Sequence, residues 1–450
     1  MPGAGGGREQ AEREERDKFI PIRKRDIVEA LIASGGLPGS ERVRFEQLCR
    51  MLGSIFHYEY FDRLERLRDD YYYFNPAITV REGLDDEALE RARAEFTQSL
   101  EEVLKGANYE EIDSADLRRH DGEGQILRVK VETTTEDYHE VRFFRRGGHR
   151  EEVDVRKWFG LRRHLVRRWV YDNVILLVTI KFAGEITSKR HLKRLERSQF
   201  RPGSILIKYF RNIAPADLQM LFPRVRVVMS LFDKLTIAVP ALAGGVPLLL
   251  NLLPTLTVLV LVIGFYLGLS AAVHPDDVVR AFAALTGLAA LVGLIMRQRL
   301  KYERLSLKYQ RQISEHFYFR NVSNNAGIFD YVVGAAEEQE CKETFLAYYF
   351  LLTGGGAPDE AALDARIEGW LKETFGVEVD FEVRDALAKL ERLGLLRRSD
   401  GALRVLAPQQ ALAVLDRAWD NFFQFANPPA PGAVDADTAH SRAPATASGP

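Results

Sequence analysis

A long uncharged stretch in the middle of the chain limits the folds that this sequence can adopt. Ile237–Val273 contains no charged residue, and the next apolar run, Val278–Met296, contains only Arg280. A helix needs roughly 20 apolar residues to cross the hydrocarbon core of a bilayer. The second run is long enough for one such helix. The two runs therefore predict a membrane-inserted region between two charged parts of the chain.

The first run is too long for one straight helix, and three prolines interrupt it. Either one helix crosses and Ile237–Pro247 lies in the interface or re-enters the membrane, or two short helices cross. Basic residues favour the cytoplasmic side of a membrane. They precede and follow this region, whereas its connector carries Asp276 and Asp277. Both flanks thus favour one side, which predicts a hairpin over 236–297. Its two spans are expected at about 248–272 and 278–297.

Small residues recur at helical spacing in both predicted spans. Such residues let helices approach closely, which drives their association in lipid. We predict that they pack the two spans against each other. Association between copies of the chain, giving a homo-oligomer, is the alternative. The residues concerned are Gly264, Gly268, Ala283, Gly287 and Gly293.

Basic residues follow the second span on a predicted continuation of its helix. Near an anionic membrane surface each cation contributes about 1 kcal/mol of binding energy. The cluster predicts contact with the lipid bilayer, although its role in setting the membrane topology is a sufficient explanation. The cluster consists of Arg297, Arg299, Lys301, Arg304, Lys308 and Arg311.

Residues 17–235 predict an α+β domain in which helices precede a small sheet. Apolar residues at helical spacing predict helices at Ile27–Ala33, Phe45–Leu67 and Asp86–Lys105. We expect Gly106 to end the third helix in a left-handed cap. From Gln125 the period changes to two, which is typical of strands. Short strands are predicted at Ile126–Thr133, Tyr138–Arg145, Glu152–Lys157, Val174–Phe182 and Ser204–Arg211.

Residues 337–425 predict a winged-helix-like domain, after a juxtamembrane helix and connector at 298–336. The pattern is three helices followed by a β-hairpin that turns at Asp400-Gly401. Such a layout suggests DNA binding. However, this region holds ten Lys and Arg against seventeen Asp and Glu, a net charge of −7 that repels phosphate. We therefore expect contacts with an unknown protein partner and no nucleic acid.

The sequence contains few groups that suggest catalysis. There is no phosphate-binding glycine-rich loop and no nucleophile motif. Cys49 and Cys341 are too few for a disulfide framework or a zinc site. His139 and His149, on adjacent predicted strands, form no metal site without a third ligand. We predict no cofactor, no metal and no catalytic residue.

Two other function classes stay open. A membrane-associated enzyme acting on a lipid or membrane-proximal substrate would be supported by a deep pocket of the α+β domain in which two or more of Asp137, His139, Glu140 and His149 converge. A transporter or channel component requires a polar cavity, for which Asn251 is the candidate lining residue.

The chain resembles a family of membrane proteins with a domain of unknown function, typified by transmembrane protein 143. The resemblance implies a two-span membrane protein and implies no activity and no catalytic residues. The family includes bacterial, mitochondrial and plant-organelle members. The similar stretches are Lys18–Ile22, Asp70–Pro76, Ala214–Pro223, Asp233–Pro247, Tyr318–Gly327 and Ala336–Glu343.

The two ends of the chain, 1–16 and 426–450, are predicted to be disordered, the second because it is rich in Pro, Ala and Ser. Met1–Lys18 lacks the Ser expected of an organelle-targeting leader. Arg greatly outnumbers Lys in the chain, which indicates a GC-rich and therefore bacterial genome. We therefore expect a bacterial inner-membrane protein with both termini in the cytoplasm. Its expected function is that of a non-enzymatic scaffold or adaptor.

Overall fold

The chain has an α+β fold that is mostly helical, as predicted. The computed structural model describes residues 17–78, 85–113, 130–133, 136–157, 162–186, 201–222, 225–228, 231–268, 274–399 and 402–423. The helices are α1 (Lys24–Ala33), α2 (Gly39–Tyr71), α3 (Asp86–Gly106), α4 (Leu231–Tyr266), α5 (Pro275–Tyr318), α6 (Gly327–Thr353), α7 (Glu360–Phe375), α8 (Val383–Arg392) and α9 (Pro408–Asp420). The strands are β1 (Glu110–Glu111), β2 (Lys130–Thr133), β3 (Tyr138–Lys157), β4 (Arg162–Ile180), β5 (Ile205–Ile213), β6 (Val225–Val228), β7 (Asn321–Asn324), β8 (Leu396–Ser399) and β9 (Ala402–Val405).

The chain forms two compact units. The terminal unit combines the described residues of Met1–Glu110 and Asn325–Pro450, and the central unit comprises those of Glu111–Asn324. These bounds differ from the predicted domains, in which the N-terminal helices and the sheet formed one domain over 17–235. Periodicity identifies the apolar face of a helix but not the element that covers it. The predicted tails, 1–16 and 426–450, lie outside the described residues.

Helix α6 is the centre of the terminal unit. It contacts α1, α2 and α3 from the N-terminal part of the chain, and α7 and α8 from the C-terminal part. Its side chains are buried on nearly every face from Cys341 to Leu351. Tyr348 is fully buried, and its hydroxyl donates to the carbonyl of Leu406 at 2.8 Å. The core of this unit is therefore built from both ends of the sequence.

The predicted helices of the terminal unit are present, with local differences at their ends. Asp85 caps α3 and Asp359 caps α7, each by accepting a backbone N–H at 2.8 Å. Gly106 does not form the expected left-handed cap, because Asn108 takes that conformation with φ 56°. A Cβ at Gly106 would lie 3.0 Å from the hydroxyl oxygen of Tyr60. Glycine at this position therefore allows a close approach of α2.

Three helices and an antiparallel strand pair lie in the C-terminal part of the terminal unit. Helices α6, α7 and α8 precede β8 and β9, which pair from Leu396↔Val405 to Ser399↔Ala402. The predicted turn residues, Asp400 and Gly401, lie outside the described residues. The order of elements is the one that the sequence predicts.

The central unit contains an antiparallel sheet with the strand order β1-β3-β4-β5-β7. One face of the sheet carries buried apolar side chains, including Phe143, Leu176, Val178 and Phe210. Phe317, near the end of α5, packs into the same cluster. Strands β2 and β6 form a separate antiparallel pair. Through Phe317, the end of α5 packs against the five-stranded sheet.

The strands of this sheet are longer than predicted. Two short strands are predicted at Tyr138–Arg145 and Glu152–Lys157, but β3 is continuous over 20 residues and β4 over 19. Gly147 and Gly148, which lie between the two predicted strands, are part of β3. A Cβ at Gly148 would lie 2.6 Å from the ring of Trp169 on β4. This glycine accommodates a neighbouring ring and does not end the strand.

Helices α4 and α5 are long and pack side by side within the central unit. They contain 36 and 44 residues, which correspond to about 54 and 66 Å at 1.5 Å per residue. A Cβ at Gly245 on α4 would lie 3.6 Å from Leu294 on α5. Val262, Ala281 and Ala284 are buried on the same two helices. Small residues thus allow the two helices to contact each other.

Candidate functional site

The surface of α4 and α5 is largely apolar and exposed. Val260 and Tyr266 on α4 are 66% and 75% exposed, and Val279 and Phe282 on α5 are 69% and 66% exposed. Many other Leu, Val and Ile side chains of these helices are also exposed. Transferring one such side chain out of water stabilises a protein by about 1.5–3 kcal/mol. A continuous exposed apolar surface along two long helices is typical of a membrane or protein contact.

One helix in the described part of the chain is long and apolar enough to cross a membrane. This helix is α5, whose most apolar 18-residue window is 11% buried. Helix α4 contains two shorter apolar segments, Ala238–Pro247 and Leu256–Tyr266. These findings rest on length and composition and are weak evidence for membrane insertion.

The predicted packing residues occupy different environments. Gly264 and Gly287 are half-buried. Gly268 follows the end of α4 with φ 78°, so it closes the helix in a left-handed conformation. Ala283 is exposed, and a Cβ at Gly293 would meet no atom within 4 Å. In the described contact between the helices, Gly244 and Gly245 approach Leu294, and Val262, Ala281 and Ala284 are buried on the same two helices.

The predicted basic cluster lies on the exposed surface of α5, beyond its apolar part. At 100° per residue, a spacing of four and three residues keeps side chains on one face of a helix. Five of the six basic residues have this spacing, and Arg299 lies off the face. Arg299 and Arg311 also pair with acidic residues one turn later, Glu303 and Glu315. The residues on the basic face are Arg297, Lys301, Arg304, Lys308 and Arg311, all exposed.

A buried ion cluster connects the helices of the terminal unit. We call it the lysine cluster; its members are Lys389 on α8 with Glu340, Glu343 and Asp385. The ammonium of Lys389 lies 2.6 Å from Glu340, 2.8 Å from Glu343 and 2.5 Å from Asp385. Burial opposes the charge of Lys389, but the carboxylates of Glu343, Glu340 and Asp385 outweigh it and raise the lysine pKa.

N-terminal residues complete the lysine cluster. The hydroxyl of Tyr60 donates to Glu340 at 3.0 Å, and the amide of Asn108 donates to Glu343 at 3.4 Å. Nearby, Arg392 forms two hydrogen bonds with Glu59, at 2.6 and 3.0 Å. Polar contacts thus connect the N-terminal and C-terminal parts of the chain.

Glu343 has the most perturbed carboxyl group of the lysine cluster. It is 2% exposed, and its burial raises its pKa from 4.5 to about 7, although the ammonium of Lys389 opposes this change. One ammonium faces three carboxylates, of which Glu343 is the most buried, so a proton on Glu343 reduces the excess negative charge. The sequence segment Ala336–Glu343 marked this region only through its resemblance to a family.

The two histidines considered as metal ligands do not meet. Both lie on β3, and ten residues of strand separate their side chains by about 33 Å. His139 lies 3.5 Å from Glu185, whereas His149 lies 2.6 Å from Asp172. They were expected on adjacent strands because two short strands were predicted where β3 is continuous. Among the described residues, no group of three or more His, Cys, Asp and Glu side chains could hold a metal ion.

The central unit contains a buried ion cluster that the sequence analysis missed. Asp217 is fully buried, and its Oδ2 lies 3.5 Å from both Arg168 Nη1 on β4 and His316 Nε2 on α5. Arg168 also pairs with Glu151 at 2.8 Å. An acidic residue inside the apolar segment Ala214–Phe222 was the available signal. The cluster attaches the end of α5 to the sheet.

Comparison with known proteins finds a match to one family model over part of the chain. Residues 171–327 match a family model described as a protein of unknown function (DUF3754). This match covers about a third of the chain. It extends from β4 to the start of α6 and includes α4, α5, Asp217 and His316. No solved structure matches the chain.

Replacing Glu343 by Gln is expected to alter the pH dependence of stability. Between pH 4.5 and 7 the folded chain keeps a proton on Glu343 that the unfolded chain has lost. This group therefore lowers the free energy of unfolding by up to roughly 3 kcal/mol as the pH rises through that range. In Glu343→Gln this decrease should disappear.

Urea unfolding of the full chain in nanodiscs, followed by Trp fluorescence from pH 4.5 to 7.5, measures this effect. Glu373→Gln, an exposed substitution on α7, is the matched control and should keep the wild-type slope. Equal slopes for Glu343→Gln and the wild type would contradict the assignment.

Proposed function

We propose that this chain is a two-span membrane protein that acts as a non-enzymatic adaptor. In this proposal α4 and α5 form a transmembrane hairpin, with spans at about 248–272 and 278–297. Both termini lie in the cytoplasm of a bacterium. The terminal unit, which includes a winged-helix-like part, contacts a protein partner. The similarity to proteins typified by transmembrane protein 143 agrees with this topology.

The terminal unit contains parts of the chain from both sides of the apolar region, and this supports an even number of spans. Its core contains helices from before and after the apolar region, and buried contacts such as Lys389–Glu343 and Tyr60–Glu340 hold them together. One compact unit cannot lie on both sides of a bilayer. A chain that enters the membrane after α3 must therefore return to the same side before α6.

The charges around α4 and α5 support the same topology. The connector and the start of α5 carry Asp276 and Asp277. The basic face of α5 begins directly after its apolar part. Positive residues favour the cytoplasmic side, so this arrangement supports a cytoplasmic terminal unit and a connector on the opposite side.

The charges of the winged-helix-like part support a protein partner over nucleic acid. Three cations of α8 are candidates for phosphate contacts. Lys389 is buried in the lysine cluster, Arg392 pairs with Glu59, and Arg384 pairs with Glu360. Because acidic residues of the same unit already neutralise them, these cations contribute little to phosphate binding.

A groove in the terminal unit is the proposed contact surface for the protein partner. It has a volume of about 1080 Å³ and lies between α1 and α2. Tyr58, Phe345 and Trp419 line it together with Val28 and Ile32. Aromatic side chains in a groove supply much of the binding energy at protein interfaces.

Reporter fusions test the proposed topology. Fusions after residue 423 and before residue 17 should both give a cytoplasmic signal. A reporter inserted between residues 269 and 273 should give the signal of the opposite compartment. Opposite signals from the two termini, or recovery of the chain in the soluble fraction after alkaline extraction of membranes, would contradict the proposal.

A pair of aromatic substitutions tests the adaptor role. Trp419→Ala is expected to remove at least 2 kcal/mol of binding to the partner, a loss of about 30-fold. Proximity labelling from the C-terminus identifies the partner, and co-purification in mild detergent measures its retention. Tyr331→Ala, which removes an exposed aromatic ring of the same unit outside the groove, should retain it. Equal retention by both variants would exclude the groove as the contact surface.

A further inference from the structure

The central unit contains an open cleft beside the end of α5. Its volume is about 740 Å³, within the usual range for small-molecule sites. The floor consists of buried apolar side chains, among them Phe210, Met220 and Phe317. Tyr318 and Phe319 stand at its rim and are 74% and 88% exposed. The cleft thus offers an apolar floor and two exposed aromatic rings to a ligand.

Lys208 is an unusual residue for its position in this cleft. It lies on β5, where the alternation of side chains puts it on the same face as Leu206 and Phe210, which belong to the apolar core. In the part of the chain that the structure describes, no carboxylate lies within ion-pair distance of its ammonium. Burial lowers the lysine pKa, and no acidic group of the described residues opposes this effect. Among the described residues this cation has no acidic partner, and it borders a cleft with a buried apolar floor.

We propose that this cleft binds a single-chain fatty acid, with its carboxylate at Lys208 and its acyl chain along the apolar floor. One cation matches one anionic group. The side chains of Phe210, Met220 and Phe317 provide an apolar surface for methylene groups, each of which contributes about 0.8 kcal/mol when buried. Asn321 and Asn324 also line the cleft and can donate hydrogen bonds to a carboxylate.

The position of the cleft on α5 favours a free fatty acid over a membrane phospholipid. Phe317 follows Met296, the end of the apolar run, by 21 residues of continuous helix, or about 30 Å. This step rests on the proposed membrane insertion of α5. If α5 leaves the bilayer along its normal, the cleft lies beyond the lipid headgroups, and the ligand reaches it from water.

Photolabelling of the full chain in nanodiscs tests the proposal. The probe is a 16-carbon fatty acid with a diazirine near its methyl end, and mass spectrometry of peptides locates the label. We expect label on peptides that contain Met220 or Phe317. Lys208→Met, which keeps most of the unbranched side chain and removes its charge, should reduce this label roughly tenfold or more. Arg150→Met removes an exposed cation of β3 outside the cleft and should leave the labelling unchanged.

Competition provides a test that does not depend on the folding of a variant. Unlabelled palmitate should prevent labelling of the cleft, whereas the alcohol of the same chain length should not. A diazirine phospholipid should label only the apolar parts of α4 and α5. The unfolding temperature of Lys208→Met shows whether this variant folds. The proposal is overturned if the folded variant is labelled as strongly as the wild type. It is also overturned if the alcohol competes equally, or if the phospholipid labels the cleft as strongly as the fatty acid.

The outcome is separable from that of the membrane proposal. A chain that proves to be water-soluble can be labelled without nanodiscs. Labelling of the cleft that depends on Lys208 would then support the fatty-acid site, even though the membrane proposal had been contradicted.

Discussion

The rest of the structure depends on the lysine cluster, which joins helices that precede the central unit to helices that follow it. The buried ammonium faces three carboxylates, two of which belong to α6. Removing one partner of a buried ion pair costs about 3–5 kcal/mol, because the remaining charge is left buried without compensation. Tyr60 and Asn108 connect the N-terminal part of the chain to the same carboxylates. The cluster is therefore complete only when the helices that precede the central unit pack against those that follow it.

This closed arrangement makes the central unit an insertion between two parts of one compact body. Residues 111–324 leave the terminal unit after α3 and return to it before α6. The apolar helices α4 and α5 lie inside the insertion. For a membrane protein, the arrangement requires an even number of crossings. The same conclusion follows from the positive flanks of the apolar region, an independent property of the sequence.

The sequence predicted local structure better than it predicted partners. Apolar side chains at helical spacing identified α1, α2 and α3, because each helix has one buried face. The partner of those faces, α6, lies more than 200 residues later, and periodicity carries no information on such a contact. Likewise, two short strands were predicted where β3 is continuous, because its long pairing with β4 was not visible in the sequence.

The ion clusters were missed for a related reason. Glu340, Glu343 and Lys389 resemble ordinary surface residues in a charged sequence, and only the fold removes them from water. Asp217 was the more visible exception, as an acidic residue in an apolar segment. The exposed apolar surface of α4 and α5, in contrast, follows directly from composition. The long apolar helices could therefore be predicted, whereas the residues that join the N-terminal and C-terminal helices could not.

Cross-linking of Glu59 to Arg392 in native membranes tests the central claim most directly. Both residues are replaced by Cys in a chain whose buried Cys49 and Cys341 are replaced by Ala. Since the wild-type side chains form two hydrogen bonds, a short bis-maleimide should join the two cysteines within one chain. The pair Glu59→Cys with Glu373→Cys is the control for random reaction. Cross-linking of the first pair well above the control is predicted, and equal yields from the two pairs would contradict the account.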